Sequence, residues 1–322
     1  MLVCLDRSSA SEVSLPYVLG IAKTFGTPVT LVHVMERCRP EHAGSQTGDA
    51  LGWEISRREA SVYLERVQTE TAQALGQPVQ VRLEQGQPAE RIVQMAREID
   101  ADLIVLSSHG EGGGAASNLG STVQQVLAIA RSSVFIVHTP EASANGLPKR
   151  MLVPLDGSPR TESVLPTAAR VARAYGAELL LVHIVQEPMP TLVLHAPEDL
   201  ALARQLAVRL ELSGTRYLEQ LRDRLTHEDA TVRTLVVRHA NERQALLELA
   251  QKEKIDLIVL SAHGSACDPV HSFGSVTTDL LTHSQVPLLV LQDLADQDLS
   301  RNPDARQSSA PPLRASYPPE AQ

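Results

Sequence analysis

Short apolar runs alternate along this chain with longer stretches in which apolar side chains return every three or four positions. A run that stays apolar reads as a buried strand, and the longer period reads as one face of a helix. In the first half, strands are expected near 2–6, 28–34, 78–84, 102–107 and 133–138, and helices near 9–25, 51–76, 88–99 and 119–131. The second half runs the same way, with strands near 151–155, 178–185, 231–238, 256–261 and 287–292 and helices near 159–175, 200–226, 241–253 and 274–284. "SASE" at Ser9–Glu12 reads as a capping box, and Ser158-Pro159 places a capping hydroxyl before a proline at the first helical position. Residues 36–50 and 186–199 lack an apolar period and read as exposed connections, and the Leu-rich helix over 200–226 reads as core or interface.

The two halves are copies. "MLVCLDRS" at Met1 matches "MLVPLDGS" at Met151, and His33 answers His183, each 150 residues apart. Asp102 pairs with Asp256, His109 with His263 and Gly120 with Gly274, each at 154. The expected domains are 1–140 and 149–293, joined by a linker rich in Pro, Gly, Ser and Asn, with a Pro-rich, disordered tail over 294–322. A strand–helix rhythm of this kind builds a parallel sheet covered by helices. The expected fold is α/β: two repeated doubly wound five-stranded parallel sheets, Rossmann-like, with strand order 3-2-1-4-5 in each. Ligands of such sheets bind beyond the carboxyl ends of the strands, where the order reverses. That places Asp6 beside the loop after Leu106, and Asp156 beside the loop after Leu260.

Composition narrows the function. The 322 residues carry a net charge of −9 without a Lys/Arg cluster, which argues against a nucleic-acid surface. Cys4, Cys38 and Cys267 are too scattered for a disulfide framework or a metal knuckle and read as free thiols in a reducing compartment. No apolar run approaches the roughly 20 residues that span a bilayer, so the expectation is a cytoplasmic protein without membrane contact.

The chemistry-bearing stretches are Asp102–Ala130 and Asp256–Leu281. Each runs from a buried strand through a small-residue loop into a helix, and a helix start offers unpaired N–H groups and partial positive charge to a phosphate. The spacing is Ser107, two residues, Gly110, nine residues, Gly120, Ser121; the second copy has Ser261, Gly264, Gly274 and Ser275 at the same intervals. The extra glycines at 112–114 have no counterpart and read as local slack. A Ser108–His109 nucleophile reading is set aside, since the second copy has Ala262 in place of the serine and no acid follows at useful spacing. His33 and His183 read as strand histidines and Cys4 as an inert thiol.

On these residues the chain resembles the universal stress protein family in its tandem form, whose ATP-binding members carry Gly, two residues, Gly, nine residues, Gly, then Ser or Thr. Here Ser107 and Ser261 replace the first glycine. A serine there is strained if that position takes positive φ. The resemblance implies an adenine nucleotide, ATP with magnesium carried by the nucleotide, and no metal site or catalytic residue of the protein's own. Cys4, Leu5 and Asp6 with Val34, and Pro154, Leu155 and Asp156 with Ile184, would hold adenine and ribose. Leu106 and Leu260 lead into the loops, where Gly110 and Gly264 would face the phosphates. Ser121, Thr122 and Val123, and Ser275, Val276 and Thr277, would supply N–H groups and hydroxyls. Neither loop holds a lysine or arginine, while Glu111 and Asp268 are acidic, so affinity should depend on the metal. The resemblance also implies that the last strands of the two copies pair as an internal pseudo-dimer, with homodimerisation possible. The function implied is a nucleotide-binding regulator of the stress response. The alternatives are a scaffold of the same fold that has lost nucleotide, and a slow ATPase.

Overall fold

A computed structural model describes residues 1–36, 46–109, 119–138, 148–186, 197–226, 230–265 and 272–292. These fall into two compact units, 1–138 and 148–292. The first runs β1 (Leu2–Cys4), α1 (Ser9–Glu12), α2 (Leu15–Phe25), β2 (Val29–Met35), α3 (Gln46–Leu75), β3 (Val79–Gln85), α4 (Pro88–Glu98), β4 (Leu103–Ser107), α5 (Ser121–Ile129) and β5 (Ser133–Val137). The second repeats it as β6 (Arg150–Pro154), α6 (Pro159–Glu162), α7 (Leu165–Tyr175), β7 (Glu178–Gln186), α8 (Pro197–Thr226), β8 (Thr231–His239), α9 (Glu242–Lys252), β9 (Leu257–Ser261), α10 (Ser275–His283) and β10 (Leu288–Leu291). The C-terminal tail, Cys38, Cys267, Gly110, Glu111 and Asp268 lie outside the described residues.

Within the first unit the strands pair in parallel in the order β3-β2-β1-β4-β5, with Cys4 opposite Val32 and Leu2 opposite both Thr30 and Ile104. The second unit has the order β8-β7-β6-β9-β10, with Leu152 opposite both Leu180 and Ile258. Both are the expected 3-2-1-4-5. The order reverses between strands 1 and 4 of each unit, and all five carboxyl ends face one edge. The central strands β4 and β9, both "LIVLS", are buried along their whole length, as sheets covered on two faces require. The long helices bury matching stripes, Ala60, Leu64, Val67 and Thr71 on α3 and Gly214, Leu218, Leu221 and Leu225 on α8, while Leu202 and Leu206 near the start of α8 are exposed. Among the described residues no helix is long and apolar enough to cross a membrane.

The single helix expected over 9–25, and its partner over 159–175, are each two helices. Proline is the reason. Pro16 and Pro166 have no N–H to give to the carbonyl four residues back, and their rings crowd that carbonyl. Those carbonyls belong to Glu12 and Glu162, where α1 and α6 end. The cap of α1 is also one residue earlier than expected: the Ser8 hydroxyl, not that of Ser9, accepts the Ser11 N–H at 3.1 Å, as Ser158 does for Thr161. Helices α3 and α8 begin ahead of the expected 51 and 200, inside segments read as connections.

The turn after strand 1 is left-handed in both copies, with φ 73° at Arg7 and 85° at Gly157. A Cβ at Gly157 would meet nothing within 4 Å, so strain alone opposes one. Gly157→Ala should therefore lower stability by about 1 kcal/mol in urea unfolding, since the left-handed cost exceeds the entropy gained from removing a glycine.

Candidate functional site

The carboxyl edge of each sheet gathers the end of strand 1, the end of strand 2 and the strand 4 loop with its helix. The helix starts are the least self-sufficient part. Gly120 is the N-cap of α5 and Gly274 that of α10, and neither helix has a side-chain cap. The first helical bonds run from Gln124 to Gly120 (3.0 Å) and from Thr278 to Gly274 (2.9 Å). The N–H groups of Ser121, Thr122 and Val123, and of Ser275, Val276 and Thr277, thus point out of the helix with no partner in it. By contrast α1, α6 and α9 at the same edge are capped by Ser8, Ser158 and Asn241. Three uncapped N–H groups with the positive end of the helix dipole behind them are an arrangement that suits an anion. Ser121 and Ser275 are exposed, Thr122 and Val276 half-buried, and Val123 and Thr277 buried. Thr277 donates its hydroxyl to the Ser261 carbonyl (3.0 Å), so towards a ligand it offers only its N–H.

Each helix start is tied to the end of strand 4. Gly120 N–H donates to the Ser108 carbonyl at 2.7 Å, and Gly274 N–H to that of Ala262 at 2.8 Å. The approach is close enough at Gly120 that a Cβ would lie 3.3 Å from the Ser108 oxygen. Ser107 and Ser261 end their strands in extended backbone, with no positive φ, so the strain feared for serine there is absent. Their hydroxyls instead donate to the carbonyls of His109 and His263, two residues on, and hold the first turn of the loop. Ser108 meets His109 Nδ1 at 3.0 Å but is fully buried, which leaves no route for a substrate to its hydroxyl.

At the strand ends Cys4, Leu5, Leu106, Leu155 and Leu260 are buried and shape the floor, while Val34, Pro154 and Ile184 are half-exposed. Burial holds the Cys4 thiol far above its usual range, as an inert thiol requires. His33 and His183 meet the carbonyls of Leu5 and Leu155 through Nδ1, both at 2.8 Å. A carbonyl only accepts, so Nδ1 is the donor in both. The His183 ring also accounts for the glycine midway along α8: a Cβ at Gly214 would lie 2.7 Å from its Cδ2. Gly214→Ala should accordingly lower the thermal midpoint despite alanine's better helix propensity, because overpacking against an anchored ring costs about 1–3 kcal/mol.

Asp6 accepts from both the N–H and the hydroxyl of Ser8. Asp156 is more heavily engaged. Its Oδ1 accepts from Ser158 N–H (2.9 Å) and the Thr161 hydroxyl (2.8 Å), and its Oδ2 from Ser265 N–H (2.7 Å). Burial alone pushes this carboxyl up, but the hydrogen bonds from Ser158, Ser265 and Thr161 outweigh it and hold it at about 2. Gly264 is glycine because Asp156 lies against it: a Cβ there would be 2.7 Å from Oδ2. Glu242, at the start of α9, was not singled out from sequence, and its pKa is raised by burial first and then by the charge of Asp156. The one sequence signal for it is that the first copy has Pro88 in its place. Among the described residues no group of three His, Cys, Asp or Glu side chains is placed to hold a metal ion.

Comparison with known proteins bears on what this edge is for. A model described as "Universal stress protein family" matches residues 1–138 and again 148–292. The chain is similar to a universal stress protein of Mycolicibacterium smegmatis, 25% identical over 300 residues that cover 91% of this chain and 96% of that one. Its fold is similar to a crystal structure of a universal stress protein from Archaeoglobus fulgidus, with TM-score 0.62 at 21% identity, covering 91% and 98% of the two chains. A functionally unknown protein from Pseudomonas aeruginosa PAO1 gives TM-score 0.61 at 14% identity, covering 91% and 92%.

Proposed function

The chain belongs to the universal stress protein family in tandem form, and from that premise we propose that it is a nucleotide-binding regulator that takes ATP at the carboxyl edges of its sheets. The observation that carries this reading is the pair of uncapped, glycine-started helices α5 and α10 at matching positions in the two copies, where α1, α6 and α9 at that edge are capped by Ser8, Ser158 and Asn241. Phosphate oxygens would take the N–H groups of Ser121–Val123 and Ser275–Thr277. The half-exposed apolar ends of strand 2, Val34 and Ile184, suit the face of a base. Both loops lack lysine and arginine, so the polyphosphate charge falls to magnesium brought with the nucleotide. Occupancy would then change what the protein binds.

Mass spectrometry of small molecules released from protein purified without added nucleotide tests this directly. An adenine nucleotide is the expected finding; a tightly held ligand without a phosphate would overturn the reading.

A second reading, a scaffold that holds no nucleotide, is favoured in the second copy by one observation. The Ser265 N–H already donates to Asp156 Oδ2, which leaves that oxygen less capacity for a ligand hydroxyl.

A further inference from the structure

The two copies are matched at the anion end and differ at the other. Glu242 opens α9 directly after β8, and Pro88 opens α4 at the matching position, 154 residues earlier. The Glu242 carboxylate is half-buried and has neither a hydrogen bond nor an ion pair among the described residues. It opens α9 at the same carboxyl edge as Asp156 and His183, and burial followed by the charge of Asp156 raises its pKa. Its neighbour Arg243 turns instead to Asp279, at 3.9 Å. A partly desolvated carboxylate with no donor is incomplete in the protein alone, and a donor on a ligand completes it.

Nothing else at the strand ends of this copy takes that part. Both Asp156 oxygens already accept from Ser158, Thr161 and Ser265. His183 is committed through Nδ1 to the Leu155 carbonyl. The edge therefore presents N–H donors at the α10 start and carboxylate acceptors after strands 1 and 3. A ligand that fits is anionic at one end and carries an N–H donor at the other.

We propose that Glu242 is the specificity-determining residue of the second copy, selecting a nucleobase that presents an exocyclic amine over one that presents a carbonyl in its place. The first copy, with Pro88 there, makes no such choice. An ionised carboxylate only accepts, so an amine gives it a hydrogen bond while a carbonyl sets acceptor against acceptor. This rests on the nucleotide reading above and names the part of the nucleotide that the second copy reads.

The test compares Mg-ATP with Mg-inosine triphosphate, which carries an oxygen where ATP carries the amino group, by equilibrium dialysis on the full chain. Ser121→Asp silences the first copy, so that only the second is read. In that background ATP should bind about tenfold more tightly than inosine triphosphate, and adding Glu242→Gln should bring the two to near parity. Equal affinities before Glu242 is changed, or a preference that survives E242Q, would overturn the inference and leave the nucleotide reading standing. So would a Ser121→Asp chain that binds neither while the wild type binds ATP. A wild-type chain that binds neither nucleotide would overturn the reading and this inference together.

Discussion

Replacing Ser121 and Ser275 together with aspartate is expected to raise thermal stability slightly while weakening Mg-ATP binding roughly a hundredfold. The two effects share one origin. Each serine is the first residue of an uncapped helix and is exposed, so a larger polar side chain fits without repacking. A carboxylate there meets the positive end of the helix dipole and should contribute about 0.3–1 kcal/mol per helix. The same carboxylate stands where phosphate would stand and adds about 3 kcal/mol of like-charge repulsion at close range in a partly screened site. Thermal melts and calorimetry on one preparation check both signs. A variant that loses binding because it misfolds would lose stability as well, so the opposed directions separate a site effect from a folding effect.

Asp156→Ala and Gly264→Ala form the second large expectation, because the two residues share one contact. Removing the carboxylate leaves the N–H groups of Ser158 and Ser265 without their acceptor and the Thr161 hydroxyl with only the Ser158 carbonyl, a loss of about 2 kcal/mol for a partly exposed site. Adding a Cβ at Gly264 drives it to 2.7 Å from Oδ2, at a cost of similar order, about 2 kcal/mol. With the carboxylate gone the Cβ has room, so the double variant should be more stable than the sum of the singles predicts by about 1 kcal/mol or more. Acid unfolding carries the same signature. The folded carboxyl sits at about 2, below its ordinary 3.8, so its stabilising contribution is complete above about pH 4 and is lost as pH falls towards 2. Wild type and Asp156→Ala should therefore differ at neutral pH and converge in that window. Parallel curves from pH 6 to pH 2 would contradict the role given to Asp156.

Much of this is legible in the sequence. The period of the apolar positions yields the strand–helix order, and the matched spacing of Gly120 and Gly274 locates the helix starts, because both are local properties of the chain. Breaks and long-range links were harder to read. The apolar period runs through Val13, Leu15 and Val18 without a pause, and only the missing N–H of Pro16 separates α1 from α2. Asp156 and Ser265 are 109 residues apart, and nothing in either segment announces that a carboxylate will take that N–H. Gly264 shows the same limit: its spacing marks it out, but the Cβ it lacks would collide with Asp156 of its own chain. Ser107 departs from the family's glycine, yet the extent of β4 settles its backbone as extended, which the spacing alone could not.

The central claim is that the uncapped starts of α5 and α10 hold the phosphates of an adenine nucleotide. Titration calorimetry of Mg-ATP into nucleotide-stripped protein at high concentration tests it most directly. The prediction is saturable heat with Kd near about 1 µM, roughly −8 kcal/mol, that weakens when magnesium is chelated. No heat, together with no thermal shift at millimolar Mg-ATP, would contradict it.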